Sequence, residues 1–503
     1  MTTNAPAVRF LLLTTLLLAV AGDTLLRADP WGVNFTVLSL LFFSGIGFLS
    51  RRLHDPIPPE AWSIAGLGFL SAVCLSWRDS TGLAAFNVLA TLAAAHLVTA
   101  RKHPGELPRM TFVDHIQYSL IQVFHLSAGS VFLLLRNSHP EGGEREGRPS
   151  RRSRVWLGIA LAVPTLLLFG SLLTSADATF EYLITDVLRI DIWSLVGHAA
   201  LIAFLSWTIG GWLRGRFLAT EFASFPVLFP RRVSLGVTEI AILLGSLDLL
   251  FGAFVLFQIP NFFGSHATIL GTPTLTYAQY ARRGFFELIT VAALGLPLLV
   301  AADWLFRTEL ARERRLVRAL SITMVALLGI MLASAMHRLS LYIEAYGLTT
   351  ARVHAAAILV WIAITLLVFC LTVLRRKRNL LPFAIAVSGY IVLLGLNAVN
   401  PDALVARVNT SRMIADGKFD PKYTFRLGAD AVPVLLEAIP VMEAGHRSAL
   451  AERLLQEYGD SAYGQDIRTW NAARMTAADL VRGREAELRG YVLAPETTGT
   501  PER

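Results

Sequence analysis

Apolar residues along this chain gather into runs of about 20, the length a helix needs to cross a hydrocarbon core. The runs lie near residues 8–26, 32–50, 61–77, 82–100, 155–174, 190–213, 235–257, 284–306, 317–337, 353–374 and 380–399. Charged or Pro- and Gly-rich connections separate them. The pattern predicts an all-α polytopic helical membrane bundle of about eleven spans over residues 1–400.

Residues 111–135 break the pattern. Asp114, Tyr118, Gln122 and His125 recur at helical spacing opposite Val113, Ile116, Leu120 and Val123, and Thr111 with Asp114 can form a capping box. A polar stripe facing lipid would cost several kcal/mol, so the segment is read as an interfacial helix followed by a basic loop, 136–154. The alternative is a span whose stripe faces a cavity. The first run, with Arg9 at its start and Ala19-Val20-Ala21 near its end, reads as a retained span, with a cleaved signal peptide as the other reading.

After Asn400-Pro401 no membrane-length run remains. Leu435, Leu436 and Ile439, then Leu450, Leu454 and Tyr458, then Leu480, Val481 and Leu488 mark short amphipathic stretches. Residues 401–503 are therefore expected to form a small soluble helical domain, with a disordered end.

Composition agrees: 54% of the 503 residues are hydrophobic and only 16% are charged, against about 25% charged in soluble chains. The net charge of +8 does not point to nucleic acid, because the basic residues sit in short loops between spans. These are Arg51-Arg52, Arg101-Lys102, Arg214 to Arg232, Arg307 to Arg318 and Arg375 to Arg378. By the positive-inside rule those loops and the N-terminus are cytoplasmic, and an odd number of spans puts the tail outside. Cys74 and Cys370 lie in separate apolar runs and read as packed thiols.

No phosphate-binding glycine loop, paired-histidine zinc helix, Cys-x-x-Cys or Gly-x-Ser-x-Gly elbow occurs. Nothing predicts a cofactor or a metal site. Ionisable residues in or near the membrane remain as candidates. Asp248 lies mid-span; Glu239, nine residues earlier on that helix, falls on roughly the opposite side at about 100° per residue. His198 and His96 read as packed, hydrogen-bonded histidines. A second group converges on the outer face: Tyr277, Tyr280, Arg282, Arg283 and Glu287 entering one span, and His337, Arg338, Tyr342, Glu344, Tyr346 and Arg352 joining the next two. Basic residues there oppose the positive-inside bias. Mutual ion pairing with a tyrosine belt would explain them, and so would a site where arginine forks read a lipid headgroup or small anion.

The blocks "GDTLLRADPWGVNF" (22–35), "TYAQYARRGFFEL" (276–288), "LYIEAYGLTTARVHA" (341–355), "LNAVNPDALVARVN" (396–409) and "DIRTWNAARMTA" (466–477) resemble a family of bacterial multipass membrane proteins. It is catalogued as a domain of unknown function, number four-one-seven-three. The resemblance implies a bacterial cytoplasmic-membrane protein with a helical tail and implies no activity.

Three functions follow from these residues. The first is transport or handling of a small anionic or lipid substrate through the outer Arg/Tyr/Glu group. The alternative is a sensor, scaffold or assembly partner that recruits a protein through its tail. The third is a lipid-linked transferase with its base among His337, Glu344 and Glu287.

Overall fold

The computed structural model describes residues 5–99, 110, 112–136, 169, 191–218, 234–263, 285–306, 308, 310–375, 377–459 and 466–493. Among these residues there is no strand, only helices and one isolated bridge between Leu235 and Phe306. The long helices are α1 (Ala5–Leu26), α2 (Val33–Arg52), α3 (Pro59–Trp77), α4 (Thr81–Thr99), α5 (Phe112–Arg136), α6 (Ile192–Phe217), α7 (Val237–Phe263), α8 (Phe285–Leu305), α9 (Ala311–Tyr346), α10 (Thr350–Thr372) and α11 (Leu381–Val399). All but α5 are long and apolar enough to cross a membrane, ten helices among the described residues. The protein is a multipass membrane protein with an all-α bundle. The expected span 155–174 lies outside the described residues apart from Phe169.

Contacts sort the helix ends into two groups. One end of the bundle carries the α1–α2, α3–α4, α9–α10 and α11–tail connections, and tail residues bond to each of them. The other end carries Arg51, Arg52, Arg214, Arg216, Arg312 and Arg315. There Arg216 pairs with Asp55 of the α2–α3 connection, and Trp212 donates to Thr99 at the end of α4 (2.7 Å). The opposite end of α6 reaches α1, where His198 meets Asp23. Helices α4 and α6 therefore run in the same direction.

Helix α5 packs lengthwise against α6. Ser130 donates to the Trp207 carbonyl (2.6 Å), Trp207 donates to the Ser127 carbonyl (2.8 Å), and Gln122 donates to the Thr99 carbonyl (3.0 Å). Gln122 and His125 are buried, whereas Ile116, Leu120, Val123 and Phe124 are exposed. The polar stripe thus finds protein partners along a membrane-length helix. The apolar side is the one left facing outward.

Beyond Asn400, whose left-handed backbone (φ 57°) turns the chain while its side chain caps the next helix, the tail forms α12 (Pro401–Asp416), α13 (Pro421–Thr424), α14 (Val432–Ala438), α15 (Ala444–Leu454), α16 (Ala472–Gly483) and α17 (Glu485–Leu493). The predicted apolar positions Leu435, Leu436, Ile439, Leu450, Leu454, Tyr458, Val481 and Leu488 are all buried, whereas Leu480 is exposed. Their core does not close on itself. It also takes in Leu83, Leu348, Val353 and Leu396 from the membrane helices.

One interhelical contact inside the bundle is a reciprocal amide pair. The Asn87 and Asn397 amides exchange hydrogen bonds (2.9 and 3.0 Å) with both residues buried, locking α4 to α11. Asn397→Ala orphans the Asn87 amide and is expected to cost about 1–3 kcal/mol. Replacing both residues with Leu orphans nothing and should cost less than the single change. Thermal unfolding of the purified variants in detergent checks this ordering, and a milder single variant would contradict it.

Candidate functional site

The outer Arg/Tyr/Glu group comes together only in part. Tyr277, Tyr280, Arg282 and Arg283 lie outside the described residues. Glu287, His337, Glu344 and Tyr346 are exposed, and neither Glu287 nor Glu344 makes an ion pair among the described residues. Tyr342 and Arg352 do converge. The Arg352 guanidinium lies 4.0 Å from the centre of the Tyr342 ring and donates to the Gly347 carbonyl. Together with Phe285, Phe286 and Thr349 they line a cavity of about 370 Å³. The surrounding turn is held from the tail: Asn409 exchanges two hydrogen bonds of 2.9 Å with the Leu348 backbone, and Arg412 donates to the Ile343 and Glu344 carbonyls. Much of the polar character of this segment thus serves to seat the tail.

Asp248 sits on α7 with both carboxyl oxygens buried and, among the described residues, without a hydrogen-bond partner. Glu239, at the opposite-side position on that helix, is exposed. Asp248 does not line the cavity beside Arg352. Nor does it line a cavity of about 300 Å³ between α1, α2, α4 and α6, or one of about 430 Å³ between α5, α8 and α11.

Two clusters emerge that the sequence reading did not single out. The first joins tail to bundle. Arg78, on the α3–α4 turn, bonds Asp430 (3.0 Å) and the Asn397 carbonyl (2.8 Å). Asp430 also accepts from the Asp79 backbone (2.6 Å) and from Asn400 (2.9 Å). Buried Arg474 of α16 lies 3.3 Å from Asp79 and donates to the Pro30 and Trp31 carbonyls (3.4 and 2.6 Å). Asn471 donates to the Leu75 and Arg78 carbonyls. Asp402 is buried without an arginine of its own, accepting from Ser80 (3.3 Å) and the Gly428 N–H (3.2 Å). Burial pushes its carboxyl up to about 6, and nearby Asp430 and Asp79 add to the rise. Burial also raises Asp430, against the opposing pull of the Asp79 N–H and Arg78.

The second cluster is at the tail-side end of α1. Asp23, with its side chain 4% exposed, accepts from Arg27 Nε (2.8 Å) and pairs with His198 Nδ1 of α6 (2.5 Å). Arg27 and His198 are 36% and 41% exposed, so His198 is hydrogen-bonded, as expected, but only partly packed. One residue back along α1, Gly22 lines the cavity between α1, α2, α4 and α6, as does Leu26. Its other walls include Leu18, Trp31, Ser39, Phe42, Thr91 and Trp212. Trp31 closes the tail-side end, stacked on Phe35. The tail reaches this rim too: Arg468 donates to the Thr24 carbonyl (2.7 Å), and Val33 donates to the Trp470 carbonyl (3.0 Å). The signal available in sequence was "GDTLLRADPWGVNF", which places an acid and a base one turn apart at the end of an apolar run.

A family model described as a domain of unknown function (DUF4153) matches residues 65–438. The match supports a domain of unknown function, under the number 4153 in place of four-one-seven-three. Blocks 22–35 and 466–477 lie outside the matched residues. No curated protein and no solved structure matches the chain.

Asp402 gives the joint a pH signature. A carboxyl raised from 3.8 to about 6 holds a proton in the folded state that the unfolded state releases. Its stabilising contribution is full below the unfolded value and is lost as pH rises through about 6. Relative to Asp402→Asn, the native protein should therefore lose on the order of 3 kcal/mol across that window. Denaturation of both proteins over the window checks it; parallel pH profiles would contradict it.

Proposed function

For a chain that belongs to the DUF4153 family of domains of unknown function, we propose the handling of an amphiphile at the tail-side face of a bacterial inner membrane. One observation carries this reading. The cavity between α1, α2, α4 and α6 has an almost wholly apolar wall with Trp31 at its tail-side end, and polar Asp23 and Arg27 directly follow its lining residues Gly22 and Leu26 along α1, with His198 of α6 paired to Asp23. An apolar slot below a polar rim matches a molecule with a hydrocarbon chain and a polar head, and tryptophan is at home at that depth. The volume is at the small end of ligand pockets, roughly 300–1,000 Å³, enough for part of one chain. This places the site on α1 and α6, away from the Arg/Tyr/Glu segments first singled out.

The tail belongs to this reading as a cap. Through Arg468, Trp470 and Arg474 it fixes the α1–α2 connection that carries the rim. Its apolar residues are largely spent on the core shared with the bundle, which favours capping over recruitment of a separate partner. The arginine-rich opposite end faces the cytoplasm by the positive-inside rule, so the tail lies outside.

Thr208 lines the cavity and bonds only carbonyls of its own helix, so Thr208→Trp fills the slot without breaking an interhelical bond. Mass spectrometry of lipid retained through purification should show a several-fold drop in this variant. Unchanged retention at equal folding would sink the reading. Orientation has its own check: in intact cells a membrane-impermeant maleimide should label Glu443→Cys and spare Arg52→Cys, and the reverse pattern would invert the topology.

A further inference from the structure

We propose that the rim formed by Arg27 and His198 is a binding site for a phosphate-ester anion, the headgroup of an acidic phospholipid whose chain lies in the apolar slot below. The inference rests on the amphiphile reading above and names the chemistry of its polar end.

Asp23 is the anchor rather than the ligand. It is buried, and both its oxygens are engaged, one by Arg27 Nε and the other by His198 Nδ1. Its charge is therefore answered inside the protein, and it holds the two exposed side chains in fixed positions on different helices. What remains are donors. Arg27 has Nη1 and Nη2 left over and His198 has Nε2, and none of the three is given a protein partner among the described residues. A guanidinium held at Nε still presents its planar pair of N–H groups, the geometry that grips two oxygens of one phosphate. A third donor from the imidazole, offset on α6, suits a tetrahedral oxyanion better than a flat carboxylate.

A second observation comes from α6. Gly197 lies directly beneath the guanidinium, and a Cβ built there would sit 3.1 Å from Arg27 Nη2. That distance is tighter than ordinary contact, so the missing side chain leaves the room in which the Arg27 fork lies against α6. The third is depth. Leu26 and Trp31, which bracket Arg27 in the chain, both line the slot. An anion held by Arg27 therefore sits where the head of a slot-bound chain would emerge. The tail braces the same turn through Arg468 on the Thr24 carbonyl and Arg474 on the Pro30 and Trp31 carbonyls.

The test uses the full chain in nanodiscs of equimolar phosphatidylglycerol and phosphatidylcholine, with bound lipid read by native mass spectrometry. The wild-type protein should retain phosphatidylglycerol several-fold over phosphatidylcholine. Gly197→Ala, which crowds the fork and keeps every charge, and Arg27→Gln should each abolish that preference and leave the total lipid bound unchanged. Should Arg27→Gln fail to fold, Gly197→Ala and Arg27→Lys carry the test. Lipid bound by the wild-type chain without preference for either head overturns the headgroup inference and leaves the amphiphile reading standing. No retained lipid at all overturns both. A parallel arm adds inorganic phosphate to delipidated protein in detergent. A rise in melting temperature that Arg27→Gln abolishes, without any lipid preference in nanodiscs, overturns the lipid source and assigns the site to a soluble phosphate.

Discussion

Two guanidinium groups largely withdrawn from water, Arg78 and Arg474, hold this molecule in its present form. A buried cation without partners is prohibitively costly, and removing one member of such a pair typically costs about 3–5 kcal/mol. Each arginine here is answered from several distant parts of the chain. Arg78 needs Asp430 and the Asn397 carbonyl. Arg474 needs Asp79 and the carbonyls of Pro30 and Trp31. The joint therefore exists only when the α1–α2, α3–α4 and α11–tail connections and helix α16 are all in place. Apolar packing between helices is tolerant of sliding; an ion-pair network of this kind is not.

The tail consequently behaves as part of the membrane unit. Its core runs into Leu83, Leu348, Val353 and Leu396 without a break, and its hydrogen bonds end on backbone carbonyls of the membrane-helix connections. Carbonyls at a helix C-terminus have no partner within the helix. Arg412 and Arg468 supply donors to those at the ends of α9 and α1. The same side chains that satisfy these groups also set the height and angle of the turns, and so the shape of the rim above the α1–α6 slot.

The slot follows from residue size. Gly22, Ser39, Thr91 and Ala95 are small residues on three helices that face one another across it, with bulky Phe42, Phe43 and Trp212 around them. Small residues normally let membrane helices approach closely. Here the aromatic neighbours keep the backbones apart, and a gap remains that only apolar matter can fill. The half of the bundle built on α7 to α10 has its own apolar core, and there the Asp248 oxygens, without a hydrogen-bond partner among the described residues, stand apart from the slot.

Sequence alone determined that the chain is a helical membrane protein, because a run of apolar residues about 20 long has one way to satisfy its backbone in lipid. It also gave most of the buried positions after residue 400, since these follow from local periodicity, although Leu480 proved exposed. It pointed to Glu287, Glu344, Arg338 and Arg352 through their unexpected charge at a helix end, a signal that cannot separate a ligand site from a seat for the tail. The structure showed Arg352 turned to Gly347 and Tyr342, and the loop beside it held by Asn409 and Arg412. Tertiary structure alone brought Asp23 to His198, 175 residues away, and Arg78 to Asp430, 352 residues away. Neither pair has any periodicity to betray it. Which charges meet depends on how the helices are ordered and rotated about one another, and that order is set by side-chain packing across the whole bundle rather than by anything within a single run.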